Sequence, residues 1–192
     1  MASPICCLSM LVIPLLVTSL FYHVSNADQA LLENVCKSTE DYNYCLSALR
    51  SNRQSIAATP YQLGIISNDV TLAVIQETNR AIADLLLKLK DPVDVRRISH
   101  CQTNVKTAFQ KWQNAKRAAT QKSYTEEYNA IAEGIAQIVE CKFQYDDPPK
   151  RVSPISSLTH NLETLTDTSY AIIRLLVWSI TKKIIIIIIK DS

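Results

Sequence analysis

Glycine occurs only twice, at Gly64 and Gly134, in a chain of 192 residues, and that scarcity limits the fold more than any single motif. Phosphate-cradling loops of the Rossmann or P-loop type need several glycines at fixed spacing, so nucleotide-binding folds have nothing to be built from. Long stretches with a 3.6-residue apolar period, rich in Ala, Leu, Ile and Gln, point instead to an all-helical chain.

Two short helices and four long ones are expected. The short pair covers about Gln29 to Thr39 and about Tyr42 to Arg50, with Glu40 and Asp41 at the turn. The first long helix opens at Thr59-Pro60, a capping residue followed by a proline suited to the first helical position. Its Leu63, Ile66, Val70, Val74, Ala81, Leu85 and Leu89 form one stripe, ending near Lys90. Asp91-Pro92 repeats the signal, and the second helix runs to about Thr120. Ser123 and Glu126 read as a capping box for a third helix, with Tyr124, Tyr128, Ile131, Ile135 and Ile138 on its inner face. Asp147-Pro148-Pro149 closes it, and Ser153-Pro154 starts the fourth. Short connections between long amphipathic helices make an up-down-up-down four-helix bundle, 59–180, preceded by a helical hairpin, 28–52.

The first 27 residues read as a removable secretory signal: an apolar core from Leu8 to Val24 and a small-residue site ending at Ala27. Cys6 and Cys7 leave with it, so Cys36, Cys45, Cys101 and Cys141 remain as an even set in an oxidising compartment. Four cysteines allow three pairings. Cys101 and Cys141 are equally far from Gln121 at a predicted turn, and Cys36 and Cys45 flank Glu40-Asp41, so antiparallel hairpins favour Cys36 with Cys45 and Cys101 with Cys141. The remaining chain of roughly 165 residues fits one domain with a sizeable core.

The formal charge of +2 is small and spread out, which speaks against nucleic acid as a partner. No Gly-x-Ser-x-Gly, His-Glu-x-x-His or Cys-x-x-Cys occurs, and the mature chain has only His100 and His160. His100 beside Cys101 suggests a thiol or zinc site, but neighbours on a helix point apart and the disulfide explains the cysteine better. The carboxylate pairs Glu126-Glu127 and Asp146-Asp147 fall at helix ends, where caps and solvated charge are usual. No enzyme activity, cofactor or metal is expected.

Residues 181–192 differ from the rest. Lys182 and Lys183 precede six isoleucines, Ile184 to Ile189, and Lys190 follows. The run is too short to span a bilayer, is prone to strand pairing if exposed, and serves at most as a membrane-surface hook.

The chain resembles the plant invertase and pectin methylesterase inhibitors. The resemblance rests on Val35-Cys36-Lys37-Ser38-Thr39 leading to Tyr44-Cys45-Leu46-Ser47-Ala48-Leu49, on Leu63-Gly64-Ile65-Ile66-Ser67, on the spacing of Cys101 and Cys141, and on Tyr170-Ala171-Ile172-Ile173-Arg174-Leu175-Leu176. Val152-Ser153-Pro154 is most similar to invertase inhibitors of the kind that includes a plane-pollen allergen. The resemblance implies a hairpin before a four-helix bundle, with the same two disulfides. It also implies steric inhibition, in a one-to-one complex with a plant acid invertase or, alternatively, a pectin methylesterase. A secreted bundle without inhibitory activity is the further alternative. The invertase-type contact is a Pro-Lys-Phe segment between the second and third bundle helices. The matching place here is Lys122-Ser123-Tyr124, without the proline and with the lysine displaced by one. Lys122 would address the paired carboxylates of a glycosidase cleft and Tyr124 a sugar-like position; Ser123 as cap and Tyr124 as core is the competing reading. The expected location is the apoplast, with the vacuole as an alternative, and affinity is expected to vary across about pH 4 to 7.

Overall fold

A computed structural model describes residues 30–190, within which six helices and one 3-10 turn follow one another without a strand. The expected signal segment lies outside the described residues. Helix α1 covers 30–36 and α2 covers Tyr42–Arg50. After a 3-10 turn at Arg53–Ala57 come α3, Pro60–Leu86, α4, Pro92–Thr120, α5, Tyr124–Phe143, and α6, Ser156–Lys190.

The starts of α3 and α4 follow directly from local chemistry. Thr59 and Gln62 form a reciprocal capping box, each side chain taking up the other's backbone N–H, with Pro60 just inside. Asp91 accepts from the N–H groups of Val93 and Asp94 ahead of the same proline device. Helix α3 ends at Leu86, short of Lys90, since residue 91 before Pro92 is pushed out of the helical region and the chain must turn first. Helix α6 begins at Ser156, after a turn at 154–155.

Each bundle helix packs on its neighbours in sequence, and α6 closes back onto α3. The main core surrounds Trp112, with Ile82, Ile98, Val105, Ile131, Ile138 and Leu162 fully buried about it. A second cluster joins the hairpin to the bundle: Leu32, Val35 and Leu49 pack on Leu63, Leu165 and Ile172. Disulfides join Cys36 to Cys45, with Cα atoms 5.5 Å apart, and Cys101 to Cys141, at 4.8 Å. The first ties α1 to α2 and the second ties α4 to α5.

Arg97 is buried. Its guanidinium donates to the carbonyls of Pro149 at 3.1 Å and Asp147 at 2.8 Å and lies over the Tyr145 ring, fastening the α5–α6 connection to α4. Helix α6 does not stop near residue 180. No glycine or proline interrupts Ser156 to Lys190, and isoleucine is only a slightly weaker helix former than leucine, so the helix carries on through the isoleucine run.

Candidate functional site

The turn between α4 and α5 brings Lys122, Ser123 and Tyr124 together at one end of the bundle. Gln121 ends α4, and Lys122 takes φ 59°, the one positive-φ residue among the described residues. Its N–H donates to the Ala119 carbonyl at 3.0 Å, and the Ser123 N–H donates to the Ala118 carbonyl at 2.9 Å. These are the paired bonds of a Schellman turn, whose left-handed position is usually glycine. A side chain there costs about 1 kcal/mol.

Lys122 is exposed, and its ammonium lies 5.0 Å from the centre of the Tyr61 ring. Tyr61 is itself fixed, its hydroxyl donating to the Thr120 carbonyl at 3.0 Å. An aromatic ring on α3 therefore sets where the cation is presented.

Ser123 corrects one expectation. It precedes α5 but makes no side-chain cap, and the capping box with Glu126 is absent. The Schellman turn holds Ser123 at φ −87°, ψ 71°, away from the extended geometry of Thr59 and Asp91, so its hydroxyl is not aimed at the first turn. Tyr124 is half-buried and packs against both apolar clusters. Burial, then the nearby Glu127 and Tyr61, raise its hydroxyl above the usual tyrosine value.

The three residues border a shallow cleft of about 460 Å³ that also takes in Val177 and Ile180 of α6. Beside it a groove of about 820 Å³ lies between α1, α5 and α6, walled by Val35, Tyr124, Tyr128, Leu175, Val177 and Trp178. Tyr128, expected on the inner face, is exposed and rests on Tyr170 with ring centres 4.7 Å apart. Trp178 is 71 % exposed. One end of the molecule thus carries a presented lysine next to a shallow aromatic surface, the composition of protein-docking surfaces rather than of a reaction cleft.

Glu127, expected to be solvated at a helix end, is instead 2 % exposed. It follows the spacing of Ile131, Gly134, Ile138 and Cys141, the buried side of α5. Its Oε1 accepts from the Asn68 amide at 2.7 Å, across the bundle from α3. Neither Glu127 Oε2 nor Asn68 Oδ1 has a partner. Burial pushes the Glu127 carboxyl up to about 7, against a smaller lowering by the Asn68 bond.

His100 is exposed on α4 next to Cys101, which is committed to its disulfide. His160 lies 3.9 Å from the carboxylate of Asp41, which caps the start of α2. The two histidines are on different elements and neither adjoins the Lys122 turn. Among the described residues, no three His, Cys, Asp or Glu side chains converge where a metal ion could sit.

Residues 30–172 match the family described as plant invertase/pectin methylesterase inhibitor. A pectinesterase inhibitor from Actinidia deliciosa is 26% identical over 169 residues, covering 88% of this chain and 91% of that protein. The crystal structure of mutant form A of a pectin methylesterase inhibitor from Arabidopsis is similar in fold, with a TM-score of 0.64 and 14% identity, over 74% of this chain and 95% of that one. Another, of a pectin methylesterase inhibitor from Arabidopsis thaliana, gives a TM-score of 0.57 at 14% identity, over 78% and 97%.

Proposed function

The chain belongs to the plant invertase/pectin methylesterase inhibitor family, and from that premise we infer that it is a secreted protein that shuts off a carbohydrate-acting enzyme of the plant cell wall by covering its active site. Its activity is that of an inhibitor and not of an enzyme. The observation that carries the reading is the family match over residues 30–172, which takes in the hairpin, α3 to α5 and half of α6.

Pectin methylesterase is the first target to test, on the strength of the Actinidia pectinesterase inhibitor that aligns along nearly its whole length. Acid invertase is the second, and Lys122 favours it: the α4–α5 turn projects a cation toward any cleft lined by carboxylates, with Tyr124 beside it. Steric blockade suits this scaffold. Two disulfides and a packed core leave little conformational entropy to lose on docking, so a standard-size interface yields tight binding. Release into the apoplast or vacuole fits the disulfides and the apolar N-terminal segment.

The test is a titration of the oxidised protein, beginning at Asp28, against a purified plant pectin methylesterase and a purified plant acid invertase at about pH 5. Stoichiometric loss of one activity identifies the target. Loss of neither, with the chain helical and fully disulfide-bonded, overturns the inhibitor reading.

A further inference from the structure

We propose that the outer half of α6 is a docking element for an anionic lipid surface. Among the described side chains, the last buried one in α6 is Leu176. From Val177 onward every side chain that the structure describes is exposed, including Trp178, Ile180, Ile185, Ile186 and Ile189. At about 1.5 Å per residue, the helix from Val177 to Lys190 runs for about 20 Å past its last buried residue. Trp178, Thr181, Lys182, Ile185 and Ile186 line an open apolar hollow of about 290 Å³ on one face of the helix, which shares Trp178 and Thr181 with the groove beside α1.

An apolar face alone does not say what covers it; the charge around this one does. Between Asp167 and Asp191 the sequence has no acidic residue and four basic ones, Arg174, Lys182, Lys183 and Lys190. The whole chain has 20 basic and 18 acidic residues, so outside this stretch the count is 16 against 18. The chain's entire basic excess thus coincides with its most exposed apolar helix. Tryptophan with isoleucine beside lysine is the composition that sits at the boundary of headgroups and acyl chains, the ammonium groups reaching phosphate while the apolar groups enter. A second copy is a poorer occupant, because it would bring together two stretches that each carry four basic residues and no acidic one.

The contact is with a surface and not a span. The 13 residues from Val177 to Ile189 make about 20 Å of helix against about 30 Å of hydrocarbon, with two lysines among them. Among the described residues no helix is long and apolar enough to cross a membrane. The proposal does not depend on which enzyme the protein inhibits, or on whether it inhibits one.

The test uses the oxidised chain from Asp28 to Ser192 with phosphatidylcholine vesicles, with and without about a third phosphatidylserine. The chain has two tryptophans, and Trp112 is buried in the core, so a blue shift on binding reports on Trp178. Co-sedimentation and a blue shift are expected with the anionic vesicles at low salt, weakening at high salt. Lys182→Glu combined with Lys183→Glu is expected to lower partitioning at least tenfold, at about fivefold per cation removed. Ile186→Ser with Ile189→Ser is expected to abolish the blue shift. All four positions lie beyond Leu176, so circular dichroism of the bundle should be unchanged. The proposal is overturned by failure to bind anionic vesicles. It is equally overturned by equal, salt-independent adsorption to pure phosphatidylcholine, or by self-association in the absence of lipid that the isoleucine variants abolish.

Discussion

Gly134 of α5 lies so close against the indole of Trp112 on α4 that a Cβ at that position would overlap Cε3 and Cζ3 of the ring. Trp112 is fully buried at the centre of the main core and has no open side into which to retreat. Gly134→Ala gains up to about 1 kcal/mol in helix propensity but forces the two helices apart, at about 1–3 kcal/mol. A net loss of about 1–2 kcal/mol in urea unfolding is expected. Gly64 makes the control: a Cβ there meets Ile172 at 3.5 Å, an ordinary contact, so Gly64→Ala should be neutral or stabilising. Equal effects at the two glycines would refute this account.

Arg97 carries the α5–α6 connection. Lysine has one point charge in place of a planar fork and cannot serve both the Asp147 and Pro149 carbonyls. Arg97→Lys should cost about 1–2 kcal/mol and Arg97→Ala about 2–3 kcal/mol, since each removes charge-assisted hydrogen bonds that a buried guanidinium makes to the connection. Thermal melts check the magnitude. Faster protease cleavage between residues 144 and 153 checks the location, and a variant that melts early without such cleavage would place the defect elsewhere.

Much of this architecture was readable because its signals are local. Thr59-Pro60 and Asp91-Pro92 place helix starts through chemistry contained in four residues, and cysteines flanking two turns point to the hairpin pairing. The place of the turn at residues 121–123 was readable but its left-handed geometry at Lys122 was not, because a Schellman turn announces itself by glycine or asparagine and this one has lysine. Glu127 was misread because a carboxylate in the first turn of a helix ordinarily faces water. Its register with Ile131 and Ile138 was the signal that placed it inside, and the same count puts Tyr128 one position off the stripe, on the surface. The burial of Arg97 depends on a connection 50 residues away, which no local pattern encodes.

The two disulfides should contribute unequally. The chain-entropy relation assigns about 4 kcal/mol to a loop of the size closed by Cys101 and Cys141 and about 2.6 kcal/mol to that closed by Cys36 and Cys45, whose sequence separations are 40 and 9. Replacing each pair by serines and comparing unfolding free energies tests the order. A larger loss from the hairpin pair would mean that α1 and α2 contribute more to the bundle core than the loop-size argument allows.

Lys122 separates stability from recognition. Lys122→Gly relieves the left-handed backbone and should stabilise the fold by up to about 1 kcal/mol. If the α4–α5 turn docks into the target, the same change removes the presented cation and weakens inhibition at least several-fold. Lys122→Ala, which keeps the strain and removes the charge, should weaken inhibition without the gain in stability. Unchanged inhibition by both variants would move the contact surface off this turn.

The Asn68–Glu127 pair predicts how stability depends on pH. A carboxyl with an ordinary value of 4.5 is held at about 7 in the folded chain, so between those values the folded state keeps a proton that the unfolded state has lost. The contribution of this carboxyl to stability is therefore greatest at and below about pH 4.5, falls as pH rises through this window, and levels off above about 7, with a total on the order of 3 kcal/mol. The geometry gives the proton a use, because the bonded pair still contains two buried oxygens without a donor, Glu127 Oε2 and Asn68 Oδ1. Glu127→Gln removes the titrating group while keeping an acceptor for Asn68 and adding an amide donor. Urea unfolding from about pH 4 to pH 8 should show the parent losing stability where the variant does not, with the two alike in acid and the variant ahead at neutrality. Parallel profiles would mean that Glu127 reaches water and titrates as a surface carboxylate.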